Sequence, residues 1–196
     1  MSYPFILGLT GSIGMGKSAV AGMFLELGVP VFDSDAAVRR MQGPGGSLVS
    51  AIEHAFPGTT GPSGVDRAEL GQRVFGDRHA LRRLEGIIHP AVAAEREVFL
   101  IEHAGQPLVV FDIPLLFETG RDERVDAVLV VSAPAEVQRA RVLARPGMSA
   151  QRFAEILDLQ LPDAEKRARA DHVIDTGTSL AETRKAVAEL VEKLTG

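Results

Sequence analysis

Short apolar runs recur along the chain, and helical periodicity follows most of them. Phe5–Leu9, Val29–Asp33, Leu108–Asp112, Ala127–Val131 and His172–Asp175 read as strands, most of them almost continuously apolar. That pattern suits strands buried on both faces of a parallel sheet. Helices are expected over Lys17–Leu27, Ala135–Ala144 and Leu180–Leu194; in the last, Val187, Leu190, Val191 and Leu194 fall at helical spacing. The alternation predicts an α/β fold with five parallel strands covered by helices. Residues 34–104 depart from it. They hold several helical segments and no convincing strand, punctuated by Gly43-Pro-Gly-Gly and Gly58-Thr-Thr-Gly-Pro-Ser-Gly, so they read as a mostly helical insertion. A second polar stretch, Arg139 to Arg169, lies between the fourth and fifth strands and is rich in arginine.

Composition narrows the picture in three ways. A chain of 196 residues with 45% apolar content has material for one α/β domain and an insertion or two. The net charge of -5 argues against a broad nucleic-acid-binding surface, so an anionic ligand needs a local positive cluster. Cysteine is absent, which removes disulfides, thiolate zinc sites and cysteine nucleophiles. The first residues carry no basic n-region, and the longest later apolar stretch, Pro107 to Phe117, is broken by Asp112. A cytoplasmic protein with no membrane partner is expected. Asparagine is also absent and lysine is scarce, so a missing Asn or Lys discriminates weakly here.

The sharpest signal is Gly11-Ser-Ile-Gly14-Met15-Gly16-Lys17-Ser18, a full G-x-x-x-x-G-K-[ST] match between a strand and a helix. Its glycines let backbone N–H groups turn inward onto a phosphate, and the helix N-terminus adds its dipole. Lys17 supplies a mobile charge to the outer phosphates of ATP, and Ser18 offers a hydroxyl to Mg²⁺. Ala19 completes the candidate nucleotide-binding segment. Two aspartates close strands whose carboxyl ends should flank that loop: Asp33, followed by Ser34-Asp35, and Asp112, which opens Asp112-Ile-Pro-Leu-Leu-Phe-Glu118. One carboxylate can accept the proton of an attacking hydroxyl, and another can hold Mg²⁺ or its waters. Helix N-capping is the ordinary alternative for Asp33, Ser34 and Asp35. Glu118 could equally be a solvated loop charge. Arg139, Arg141 and Arg145, then Gln160, Lys166, Arg167 and Arg169, could close over the nucleotide, although arginines at spacings of two and four cannot all face one way.

Taken together, these motifs resemble the dephospho-coenzyme A kinase family. The resemblance runs through Leu9-Thr-Gly-Ser-Ile-Gly-Met-Gly-Lys-Ser, Asp33-Ser-Asp35, Ile88-His-Pro90 and Asp112-Ile-Pro-Leu-Leu-Phe-Glu118. It continues through Gln138-Arg-Ala-Arg141 with Arg145, Gln160, and Arg169-Ala-Asp-His-Val-Ile-Asp175. It implies a P-loop core of residues 1–33, 105–135 and 170–196, a helical acceptor domain over 34–104 and a lid over 136–169. It implies Asp33 as base for the ribose 3′-hydroxyl of dephospho-coenzyme A, and Asp35 and His89 as substrate contacts. It also implies Lys17 and the loop amides on ATP, Ser18 and Asp112 on Mg²⁺, and Arg141 and Arg145 on the transferring group. From the residues alone, His89-Pro90 says only that a helix boundary precedes the proline. Three positions depart from the family pattern: Met15 stands for a small residue and bears on packing over the phosphates, Ala19 replaces a Ser or Thr, and Thr176 replaces Asn.

Two rival readings remain open on the sequence. An adenylate-type or shikimate-type kinase would share the phosphate chemistry and differ in its acceptor. A GTP-binding switch would want an N-K-x-D guanine reader, and this chain has no Asn.

Overall fold

The computed structural model describes residues 3–118 and 124–196. From the amino terminus, β1 (Phe5–Thr10) leads through the glycine-rich loop into α1 (Lys17–Glu26) and β2 (Val31–Asp33). Helices α2 (Ser34–Met41) and α3 (Val49–Ala55), strands β3 (Thr60–Gly61) and β4 (Gly64–Val65), and helices α4 (Arg67–Val74) and α5 (Arg78–Glu102) follow. The chain continues through β5 (Leu108–Asp112), β6 (Ala127–Ser132), α6 (Ala135–Leu143), α7 (Ala150–Asp158), α8 (Asp163–Arg169), β7 (His172–Asp175) and α9 (Leu180–Thr195). It divides into two units, Met1–Phe32 with His103–Gly196, and Asp33–Glu102.

The first unit is built on the expected parallel sheet, in strand order β2-β5-β1-β6-β7. β1 is central: Leu7 lies beside Val110 of β5 and Ala127 of β6, and Leu9 beside Asp112 and Leu129. Because both faces are covered, Leu7, Leu9, Val110, Leu129 and Val131 are all buried. They pack in one core with Val20 and Phe24 of α1 and Val187 and Leu190 of α9. Removing a side chain such as Phe24 from such a core typically costs about 3–5 kcal/mol. This central strand, held on both sides, carries the phosphate loop at its carboxyl end. β2 starts two residues later than its apolar run. Gly28 takes a left-handed φ of 78°, and the Val29 N–H turns back to the Phe24 carbonyl at 3.0 Å. Val29 therefore belongs to the closing turn of α1. At the far end, α9 opens with a capping box between Ser179 and Glu182, and the Ser179 N–H holds the Glu182 carboxyl below its ordinary range.

In the second unit, α2, α3 and α4 each pack against α5, around buried Met41, Leu48, Ile52, Leu70, Leu84 and Leu100. Two expectations fail here. Residues 34–104 do contain strands: β3 and β4 pair antiparallel, Thr60 with Val65 and Gly61 with Gly64. Two residues per strand are too few to show any alternation in the sequence. Nor does Pro90 mark a helix boundary, because α5 runs straight through it for 25 residues. Pro90 forfeits only the bond its missing N–H would have made one turn back, and the buried face on both sides of it keeps the helix whole. Among the described residues, no helix is long and apolar enough to cross a membrane.

Candidate active site

The loop between β1 and α1 is shaped by what its glycines avoid. A Cβ on Gly11 would lie 2.5 Å from Val131 Cγ2, and Gly14 and Gly16 take φ of 79° and 84°, a region that side chains rarely enter. Bonds to distant elements then hold the loop. The Ile13 carbonyl accepts from Gln138 Nε2 at 2.8 Å, and the Ile13 N–H donates to Gln160 Oε1 at 3.1 Å. The Met15 carbonyl accepts from Thr176 Oγ1 at 2.8 Å. With those groups engaged, the N–H groups of Gly14, Gly16, Lys17 and Ser18 have no acceptor among the described residues. They sit at the start of α1, which has no side-chain cap. Converging free amides at a helix N-terminus form an anion cradle. Met15 does not cover that cradle. It is 3% exposed and belongs to the core cluster, and its Sδ accepts the Ala133 N–H. The departure from a small residue fills space beneath the loop, contrary to the expectation that it bears on packing over the phosphates.

Lys17 and Asp112 form an ion pair at the ends of α1 and β5. Lys17 is largely buried and Asp112 more so, with side chains 18% and 8% exposed, so the pair is poorly screened and directional. Ser18 and Ala19 are exposed in the first turn of α1. No group of three or more His, Asp or Glu able to hold a metal ion occurs among the described residues. One hydroxyl and one carboxylate nevertheless suit Mg²⁺, which takes few protein oxygens and completes its shell with water and substrate phosphates.

The arginines separate. Arg141 of α6 is half-buried, donating from Nη2 to the Thr176 carbonyl at 2.6 Å and from Nη1 to Thr176 Oγ1 at 3.1 Å. Thr176 is itself buried, and its N–H reaches the Ser132 carbonyl at 2.8 Å. Arg145 lies beyond the last residue of α6, exposed, and its side chain has no partner among the described residues. Glu118 is not a solvated loop charge. Its Oε1 accepts the Leu161 N–H at 3.0 Å and stands 2.6 Å from Nζ of Lys166, which is fully buried.

In the second unit, Asp33 caps α2: its Oδ1 accepts the Ala36 N–H at 2.8 Å, and its Oδ2 lies 3.8 Å from Arg39 Nη2. Capping, the ordinary alternative, is thus realised, with the side chain still 46% exposed. Asp35 is exposed in the first turn of α2, His89 is half-buried within α5, and Arg96 donates to Ser34 Oγ at 3.1 Å. The first unit therefore gathers the loop residues Gly11 to Ala19, Asp112 and Arg141 into one arrangement, while Asp33, Asp35 and His89 belong to the other unit. Gln138, Gln160 and Thr176 all hold the loop, a role the sequence did not announce. Gln160 stood among residues that could close over the nucleotide, Gln138 only within a family motif, and Thr176 only as a departure from the family pattern.

A family model described as Dephospho-CoA kinase matches residues 5–182. A curated Dephospho-CoA kinase of Novosphingobium aromaticivorans is 71% identical over 194 residues, covering 99% of this chain and 96% of that protein. Among solved structures, a Thermus thermophilus protein aligns over 100% of both chains with a TM-score of 0.86 at 35% identity. The Dephospho-CoA kinase of Campylobacter jejuni shares the fold over 97% of each chain, with a TM-score of 0.66 at 24% identity. An uncapped phosphate loop, its paired lysine and a full-length match converge on one conclusion: the chain belongs to the dephospho-CoA kinase family and is a phosphotransferase of the last step of coenzyme A biosynthesis.

Proposed function

We propose that the chain carries out this step by moving the γ-phosphoryl group of ATP onto the ribose 3′-hydroxyl of dephospho-coenzyme A, with Asp33 taking the hydroxyl proton. As the acceptor oxygen forms its bond to phosphorus, the bond to the β-phosphate oxygen breaks and ADP leaves. The free amides of Gly14, Gly16, Lys17 and Ser18 at the start of α1 carry the reading, because donors fixed before the charge arrives need no reorganisation during transfer. Lys17, held ready by Asp112, shares its charge with the outer phosphates. Ser18 and Asp112 would hold Mg²⁺, which would neutralise phosphate charge there.

Arg145, exposed and with no side-chain partner among the described residues, can swing onto the transferring group, while Arg141 works from a fixed seat on Thr176. In the same proposal Asp35 and His89 contact the acceptor. Residues 34–104 supply the acceptor domain, and 136–169 close over the nucleotide in the manner of a lid. The acceptor is a diffusing small molecule in the cytoplasm, with no nucleic acid and no membrane involved. The test is ADP release from Mg·ATP with dephospho-coenzyme A, AMP, shikimate or gluconate as acceptor. Release with dephospho-coenzyme A alone is expected. Release with another acceptor would keep the phosphate chemistry and discard this substrate, whereas hydrolysis indifferent to every acceptor would point to a nucleotide switch.

A further inference from the structure

We infer that the buried Lys166–Glu118 pair positions the phosphate loop by holding Gln160 against it. Lys166 is one of four lysines in the chain and is fully buried, which a lysine rarely is unless paired. Its Nζ stands 2.6 Å from Glu118 Oε1. That contact is an ion pair rather than an aligned hydrogen bond, and Glu118 Oε2 and Asp163 Oδ1 are buried with no hydrogen-bond partner among the described residues. A buried ion pair is a poor device for stability alone, since apolar residues of the same size often do as well or better. What the pair does supply is direction. Glu118 Oε1 also accepts the N–H of Leu161 at 3.0 Å, and Leu161 directly follows Gln160, whose Oε1 takes the Ile13 N–H of the loop at 3.1 Å. The opposite side of the same residue, the Ile13 carbonyl, is held by Gln138 at 2.8 Å. The chain of contacts runs from Lys166 through Glu118 and Leu161 to Gln160 and on to Ile13, next to the amides of the cradle. Lys166 touches no phosphate in this scheme and is a positioning residue.

The inference rests on the loop binding the phosphates of ATP, so nucleotide affinity is measured directly by calorimetry, beside steady-state kinetics. Lys166→Met strands Glu118 without its counter-charge and frees the 160–161 segment. It is expected to weaken ATP binding and raise KM for ATP on the order of tenfold, with KM for the acceptor unchanged. Gln160→Ala should weaken ATP by a similar factor, and the Gln160→Ala/Lys166→Met double variant should be no worse than either single one, because both break one chain of contacts. Glu118→Gln/Lys166→Met removes both charges and leaves a side-chain carbonyl for the Leu161 N–H. It should bind ATP more tightly than Lys166→Met, and it serves as the test if Lys166→Met does not fold. A merely structural pair would lower Tm while leaving the ATP affinity of the folded protein as it was. That result would overturn the inference, as would multiplying effects of Gln160→Ala and Lys166→Met. Failure of the unsubstituted protein to bind ATP at all would overturn the kinase reading instead.

Discussion

The two units secure their polar groups differently. In the first, the site-forming bonds join residues far apart in sequence: Lys17 with Asp112, Ile13 with Gln160, and Met15 with Thr176 across 161 positions. In the second, several carboxylates act within a few residues of themselves, beside the longer Arg40–Glu95 and Arg96–Ser34 links. Asp33 caps Ala36, Asp66 caps Ala68 and Glu69, Asp77 caps His79 and Ala80, and Glu53 reaches Gly58 and Thr60. Local bonds shape a helix end and cost little elsewhere when lost. Long-range bonds converging on one loop form a network, where a single loss is felt by every member. Substitutions in the first unit should therefore disturb nucleotide handling at a distance, whereas those that break local caps in the second should act where they are made.

The largest expected effect tests the network. Lys17→Ala should lower kcat/KM by on the order of a thousandfold, and it should also lower Tm, because the ion pair that Lys17 makes with the buried Asp112 carboxylate is lost. Activity assays beside thermal denaturation check both halves; near-normal turnover would remove Lys17 from the phosphates. Next comes Asp33→Asn. Asparagine caps a helix about as well as aspartate, so Tm should stay constant while kcat falls roughly a hundredfold to ten-thousandfold. A raised acceptor KM at constant kcat would instead make Asp33 a binding residue. The mildest is Thr176→Val, which removes one hydroxyl from between the Met15 carbonyl and Arg141 at nearly constant volume. It should raise KM for ATP by about tenfold, as the loss of a buried hydrogen bond suggests, and leave the acceptor KM alone. If it moved the acceptor KM instead, the contrast between network and local bonding would fail.

The same contrast explains what could be read from the sequence. The strands and the phosphate loop were legible because burial on two faces and the glycine-lysine spacing are local signatures, present in consecutive residues. The partners of the loop were not. Nothing near Gln160 or Thr176 announces a bond to Ile13 or Met15, and a buried lysine at 166 looks, in sequence, like one more charge in a basic stretch. Glu118 resembled a solvated charge for the same reason. At the arginines, Arg141 and Arg145 are one helical turn apart in sequence, but α6 ends at Leu143, so Arg145 lies beyond the helix that carries Arg141. In the second unit the hairpin was too short to see, and Pro90 sits inside a helix whose packing outweighs its local preference.

The lysines hold a practical consequence. Lys185 is 77% exposed and Lys193 lies on the outer turn of α9, whereas Lys166 is sealed and Lys17 is tied to Asp112. An amine-acylating reagent therefore meets two reactive side chains, one guarded one and one that stays silent until the chain opens. Mass spectrometry of the labelled protein would report loop occupancy through Lys17 and global opening through Lys166, with the two lysines of α9 as internal standards.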